Sequence, residues 1–218
     1  MTLSDPLREQ VAAASRELAA AGLVRATNGN VCARDGDRIA ITPTGGELAR
    51  LHAADIALID TDGELLEGEC GPTSELALHL GVLERFGAGA VVHTHPPIGT
   101  ALSLVLGELP CIHYEMVALG GAVRVAPYRT FGTQELADAV VEALEDRTAA
   151  LMANHGAITF GDDLGQAVER AHLLEAMCEL YWRAAALGEP RALSADDLDA
   201  VRAQARAKAY RSMLDMSG

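Results

Sequence analysis

Short apolar runs, each closed off by glycine, proline or aspartate, alternate with stretches of helical periodicity along most of this chain. That alternation restricts it to a mixed α/β fold. The runs are RIAITP (38–43), DIALID (55–60), GAVVHTH (89–95), AVRVAP (122–127) and AALMANHGAITF (149–160), the last folded about an Asn-His-Gly turn. Their length and boundaries suit strands. Helices are expected over 5–22, 73–86, 97–106, 133–146, 163–187 and 194–213. In the first, Val11, Ala14, Leu18 and Ala21 recur at three- and four-residue steps, and Gly22 stands where a C-cap glycine would. Asp162 and Asp163 open the fifth, and Ser194 with Asp197 makes a capping-box start for the last. No repeat, low-complexity tract or linker interrupts the pattern, so one domain is expected over 1–218.

The chain has 218 residues, half of them hydrophobic, which is enough to bury roughly 70% of the unfolded surface without help from a metal or disulfide. With 17 Lys+Arg against 31 Asp+Glu the net charge is −14, which argues against a nucleic-acid or anionic-membrane partner. No apolar run approaches the ~18 residues of a membrane span. The opening MTLSDPLREQ lacks the regions of a signal peptide, and Cys32, Cys70, Cys111 and Cys178 form no CxxC pair. A cytoplasmic protein with reduced thiols is expected.

The sharpest local feature is His93-Thr94-His95, at the end of an apolar run and followed by Pro96-Pro97. In a strand, positions 93 and 95 point to the same side, so the two imidazoles can share a metal; the alternative is a solvated strand end. His155, in the Asn154-His155-Gly156 turn, reads on its own first as a structural turn residue, with a third ligand as the alternative. Glu75 follows Gly71-Pro72-Thr73-Ser74 at the start of a helix whose buried stripe is read as Leu76, Leu80 and Leu83, with Thr73 or Ser74 as N-cap. A first-turn carboxylate suits the helix dipole on its own. If Glu75 instead faces three histidines, their neutral nitrogens leave an open coordination position, and the carboxylate can act as ligand or proton acceptor.

Two loops look built to hold an anion: Thr27-Asn28-Gly29-Asn30 and Thr42-Pro43-Thr44-Gly45-Gly46. Their glycines admit close backbone approach, and their Asn and Thr side chains add donors. With the Thr73-Ser74 helix start they can surround a phosphate. Taken singly, each is an ordinary turn. The remaining histidines, His52, His79, His113 and His172, read as packing or surface residues, with His79 one helical turn beyond Glu75 on the same face.

The order and spacing of these pieces resemble the class II aldolase/adducin family. The matching segments are TNGN (27–30), ITPTG (41–45), PTSE (72–75), AVVHTHP (90–96), IHY (112–114), APYRTFGT (126–133) and NHG (154–156). IHY and PYRTFGT look most like the L-fuculose-1-phosphate aldolase branch. The resemblance implies a three-layer α/β/α sandwich around a mainly antiparallel sheet, and a C4 homotetramer with active sites at subunit contacts. It implies one zinc ion per subunit on His93, His95 and His155, with Glu75 as the acid/base. It implies a phosphate cradle of Thr27, Gly29, Asn30, Thr44, Gly45, Thr73 and Ser74, where Thr73 replaces the serine usual in the family but keeps the hydroxyl. Tyr114, placed in a strand with His113 on its opposite face, resembles a tyrosine that reaches in from a neighbouring subunit to the aldehyde oxygen. Tyr210 resembles a second tyrosine of the family's tail.

The implied reaction is reversible cleavage of a ketose 1-phosphate, foremost L-fuculose 1-phosphate, into dihydroxyacetone phosphate and a short aldehyde, L-lactaldehyde. Four rivals share the fold. The L-ribulose-5-phosphate 4-epimerase branch carries aspartate where Glu75 stands. The methylthioribulose-1-phosphate dehydratase and phospho-sugar-acid decarboxylase branches stay open. The adducin head, a scaffold, lacks the zinc histidines that this chain has.

Overall fold

The computed structural model describes residues 5–208. Helix α1 (Pro6–Ala20) opens under an Asp5 cap whose carboxylate accepts the Leu7 N–H, with proline in the first turn where no hydrogen-bond donor is needed. Strands β1 (Asn30–Asp35), β2 (Arg38–Ile41), β3 (Ala57–Ile59) and β4 (Leu65–Glu67) follow, then helix α2 (Leu76–Phe86), strand β5 (Ala90–Thr94) and helix α3 (Pro97–Ser103). After β6 (Glu108–Leu109) and a 3-10 turn at Tyr114–Leu119 come β7 (Val123–Ala126), α4 (Gln134–Ala143), β8 (Ala149–Met152) and β9 (Gly156–Gly161). Helices α5 (Leu164–Ala185) and α6 (Ala195–Lys208) complete the described chain.

The strands form one nine-stranded sheet in the order β4-β3-β2-β1-β5-β9-β8-β7-β6. Every neighbouring pair is antiparallel except β7 and β8. Strand alternation divides the core in two. Val31, Ala33, Ala90 and Val92 face α1 and α5, packing with Val11, Leu18, Ala167 and Ala171. Cys32, Ile39, Ile41, Ile59 and Val91 face the other way, against Leu78, Val82 and Leu83 of α2 and Leu136 and Val140 of α4. This is the expected helix–sheet–helix sandwich. A further cluster, from Leu102 through Met116 and Leu174 to Leu198, packs α3, the 3-10 turn, α5 and α6 at the β6–β8 side. No helix among the described residues is long and apolar enough to cross a membrane.

The helices fall where periodicity puts them, with two corrections. Helix α2 begins at Leu76, and its N-cap is Glu75 rather than Thr73 or Ser74. Its buried face is therefore Leu78, His79, Val82 and Leu83, while Leu76 and Leu80 pack partly buried against it. Tyr114 opens the 3-10 turn instead of lying in a strand. The Ser194–Asp197 capping box is present in both directions, at 2.9 and 3.1 Å.

Candidate active site

Antiparallel pairing brings the chemistry-bearing residues to one end of the sheet. The first residue of β1, Asn30, lies opposite His93, the fourth residue of β5. Strand β9 flanks β5 on its other side, with His93 opposite Ile158, so the β8–β9 hairpin delivers His155 to the same end. Asn154 turns that hairpin in the left-handed region, at φ 58°. Gly156 is needed for a different reason: a Cβ there would run into the Thr94 carbonyl and lie 3.3 and 3.4 Å from the His93 and His95 rings. After His95, Pro96 and Pro97 end the strand and start α3. Both oxygens of Glu175 on α5 accept the next N–H groups, Ile98 and Gly99, at 2.8 Å each.

The three imidazoles converge. Ligand-capable nitrogens of His93, His95 and His155 lie within 4.8 Å of one another, and the Nε2 atoms of His93 and His95 are 3.0 Å apart. His93 is fully buried and its Nδ1 lies 2.9 Å from the Ala157 carbonyl. A carbonyl can only accept, so Nδ1 carries the proton and the Nε2 lone pair faces the cluster, the tautomer a metal ligand needs. Burial, reinforced by the neighbouring imidazoles, lowers the His95 pKa to about 3 and the His155 pKa to about 4, so both are neutral near pH 7.

Glu75 joins them from the start of α2. It is 6% exposed, with Oε2 3.2 Å from His93 Nε2 and Oε1 3.5 Å from His155 Nε2. Burial alone pushes its carboxyl up; His93, the Asn30 amide and His155 outweigh that and hold it below the usual carboxylate range. The reciprocal effect raises His93 against its own burial. Oε1 has no hydrogen-bond partner among the described residues, an unsatisfied buried acceptor of the kind a cation completes. With His93 deprotonated at Nε2, as a ligand must be, three imidazole nitrogens beside that oxygen fit a divalent metal with an open position.

A cavity of about 360 Å³ opens over this cluster. The segments 42–44 and 71–73 are zipped together, with Thr73 N–H donating to the Thr42 carbonyl at 3.0 Å and Thr44 N–H to Gly71 at 3.2 Å. That pairing places Gly45 beside Thr73 and Ser74 on the cavity wall, facing Thr27, Asn28 and Gly29. Gly29 adopts φ +84°, and a Cβ there would come within 2.7 Å of Val24 and 2.9 Å of the His93 carbonyl. Of the sequence-expected cradle, Thr27, Gly29, Asn30, Gly45, Thr73 and Ser74 line the cavity; Thr44 does not, and its neighbour Pro43 does.

The other expected residues fall differently. Tyr114 is 46% exposed and lines no part of this chain's own cavity. Tyr210 lies outside the described residues. Sequence reasoning gave no role to Tyr128, Arg129 and Phe131, which line the cavity from the loop after β7. The available signal was the segment PYRTFGT itself, which matches the family and carries two aromatics that the structure leaves 59% and 66% exposed.

The profile described as the Class II Aldolase and Adducin N-terminal domain matches residues 9–182. The chain belongs to that family. It is 41% identical over 198 residues to a 5-methylthioribulose-1-phosphate/5-deoxyribulose-1-phosphate aldolase of Rhodospirillum rubrum, covering 89% of each chain. It is 38% identical to the L-fuculose phosphate aldolase of Escherichia coli (strain K12), covering 89% of this chain and 91% of that one. A solved L-fuculose 1-phosphate aldolase superposes with a TM-score of 0.88 at 30% identity, covering 94% of this chain and 98% of that one. This is a class II aldolase family member whose three converging histidines form a candidate metal site.

Proposed function

We propose that this chain is a zinc-dependent aldolase that reversibly cleaves a ketose 1-phosphate into dihydroxyacetone phosphate and a short aldehyde. One observation carries the reading: the buried Glu75 carboxylate faces three converging imidazoles at the floor of a cavity walled by hydroxyl and backbone donors. His93, His95 and His155 hold the zinc. When bound, the ion supplies Lewis-acid stabilisation of negative charge developing on the substrate's carbonyl and hydroxyl oxygens.

The protein groups do the rest. Thr27, Gly29, Asn30, Gly45, Thr73 and Ser74 form the phosphate site; Thr44, expected among them, is off the cavity wall and its N–H is taken by the Gly71 carbonyl. Held there, the phosphate fixes the three-carbon half against Glu75, converting binding into orientation. Glu75 takes or returns the proton at the nucleophilic carbon. Its carboxylate is ionised near pH 7, so it starts as a base. Tyr114 protonates the aldehyde oxygen in synthesis and accepts that proton in cleavage, acting from a neighbouring subunit of a C4 tetramer; its exposed position away from its own cavity supports this. Tyr210 we assign as its partner from the tail. The protein works in the cytoplasm as one domain, consistent with four free cysteines. Mixing inactive Tyr114→Phe and Glu75→Gln chains should restore part of the activity; no recovery in demonstrably mixed tetramers would deny Tyr114 its cross-subunit role.

For the aldehyde half we name L-fuculose 1-phosphate, which yields L-lactaldehyde. A second reading, 5-deoxyribulose 1-phosphate, is favoured by the Rhodospirillum relative and by a 36% identical 5-deoxy-D-ribulose 1-phosphate aldolase of Bacillus thuringiensis serovar kurstaki. The test is dihydroxyacetone phosphate release from both ketoses and from 5-methylthioribulose 1-phosphate. We expect the highest kcat/KM on L-fuculose 1-phosphate. A higher value on either other ketose reassigns the aldehyde, and release from none would overturn the aldolase reading.

A further inference from the structure

From Glu75 a buried chain of polar side chains runs through Asn30, which also lines the cavity, to His79 and Cys32, which do not. Asn30 Nδ2 donates to Glu75 Oε2 at 2.9 Å. Asn30 Oδ1 lies 2.5 Å from His79 Nε2, and His79 Nδ1 lies 3.1 Å from Cys32 Sγ. His79 and Cys32 are fully buried and Asn30 nearly so. The direction of every bond is forced from the carboxylate outward. An ionised carboxylate only accepts, so the amide must turn its NH₂ to Glu75 and its oxygen to His79. His79 Nε2 must then carry a proton. Burial lowers His79 to about 3, so the ring is neutral and Nδ1 is bare. Cys32 is held by burial as a thiol, at about 12, and its S–H supplies the donor that a bare Nδ1 needs.

The opposite tautomer has a definite consequence. With the proton on Nδ1, the bare Nε2 would attract the amide NH₂, Asn30 would flip, and its carbonyl oxygen would stand against the Glu75 carboxylate. We propose that His79 and Cys32 are positioning residues: His79 holds the Asn30 amide in the one orientation that aims an N–H at Glu75, and Cys32 fixes the His79 tautomer that does so. Asn30 also lines the cavity, so the same lock holds a residue of the phosphate side. The sequence places the histidine one turn after Glu75, and the paired β1 strand brings Asn30 and Cys32 to it on alternate residues that share a face. The proposal rests on Glu75 being the proton acceptor.

Two measurements on the zinc-loaded tetramer test it. Nitrogen-15 NMR of the histidine rings should show His79 as the Nε2–H tautomer; an Nδ1–H ring would overturn the proposal whatever the kinetics. His79→Met, which removes the donor, should keep its zinc and lose about 10–100-fold in kcat, the usual worth of a group that orients a working residue. His79→Gln, whose amide places an N–H near the lost Nε2, should recover most of that loss. Wild-type kcat in His79→Met, or a zinc-loaded His79→Gln as slow as His79→Met, would overturn it. If His79→Met does not fold, Cys32→Ala takes its place: without the S–H donor at Nδ1 the Nδ1–H tautomer should become populated beside Nε2–H and kcat should fall in step, and either an unchanged tautomer or an unchanged kcat would count against the lock. Failure of the parent reading looks different. Wild-type proton exchange by Glu75→Gln removes the base and leaves the tautomer result standing, whereas an inactive Glu75→Gln beside a fully active His79→Met removes only the lock.

Discussion

The floor and the rim of the cavity are built on opposite principles. At the floor, His93, Glu75, Asn30 and His79 come from three different elements, all are buried, and each polar contact fixes the next. At the rim, Tyr128, Arg129 and Phe131 share one loop, and both aromatics are more than half exposed. A network of buried polar groups tolerates little change, because each unpaired member costs about 1–3 kcal/mol. An exposed aromatic can be exchanged at small cost to the fold. On the proposed function, the floor would carry the chemistry, and we assign to the rim the discrimination of one aldehyde from another.

The largest effect should follow from breaking the floor. His93→Ala should abolish zinc binding and activity together, measured as metal content and product release on one preparation. The sheet should persist, because the core clusters do not depend on the ion. An active, zinc-loaded His93→Ala enzyme would mean that the floor is not the metal site. A smaller effect is expected at the rim. Phe131→Ala should change kcat/KM by about 10-fold, with the size and sign depending on the aldehyde tail, as the loss of one apolar contact does. Proton exchange into dihydroxyacetone phosphate alone should stay near wild type. Equal losses in cleavage and exchange would erase the distinction between floor and rim.

The smallest effect concerns pH and the metal-free protein. His79 titrates at about 3 in the fold, through burial and the nearby His93, against about 6.5 for an exposed imidazole. The unfolded chain therefore binds the extra proton between those values. The contribution to stability is complete above pH 6.5 and lost as pH falls towards 3, at up to about 1.4 kcal/mol per pH unit. Urea unfolding between pH 7 and 5 should show a shallower pH dependence in His79→Met than in wild type; equal slopes would contradict a buried neutral ring.

Much of the floor was legible in the sequence because period and spacing encode it. His93 and His95 sit two apart in a strand, and the helix start marks Glu75. The strand that organises the site was not legible. Residues 30–35, NVCARD, carry only three small apolar side chains between polar ones, and their first residue was absorbed into an anion-loop reading. Yet β1 sits between β2 and β5, and its first four residues are buried because neighbours on both sides and helices on both faces enclose them. Burial of that kind is set by tertiary pairing and leaves little trace in composition. The same limit explains α2. Starting the helix at Leu76 rotates its buried face by part of a turn, which brings His79 inward and leaves Leu76 and Leu80 at the side. Tyr114 belongs to another class of question, since the role proposed for it depends on a second chain.

The central claim is that Glu75 moves the substrate proton rather than merely helping to hold the metal. The direct measurement is zinc content together with solvent exchange of the carbon-bound proton of dihydroxyacetone phosphate, both on Glu75→Gln. Three imidazoles remain, so zinc should stay bound. The amide matches the carboxylate in shape but is a poor proton acceptor, so exchange should fall by about 10²–10⁴-fold. A zinc-loaded Glu75→Gln that exchanges this proton at the wild-type rate would contradict the account.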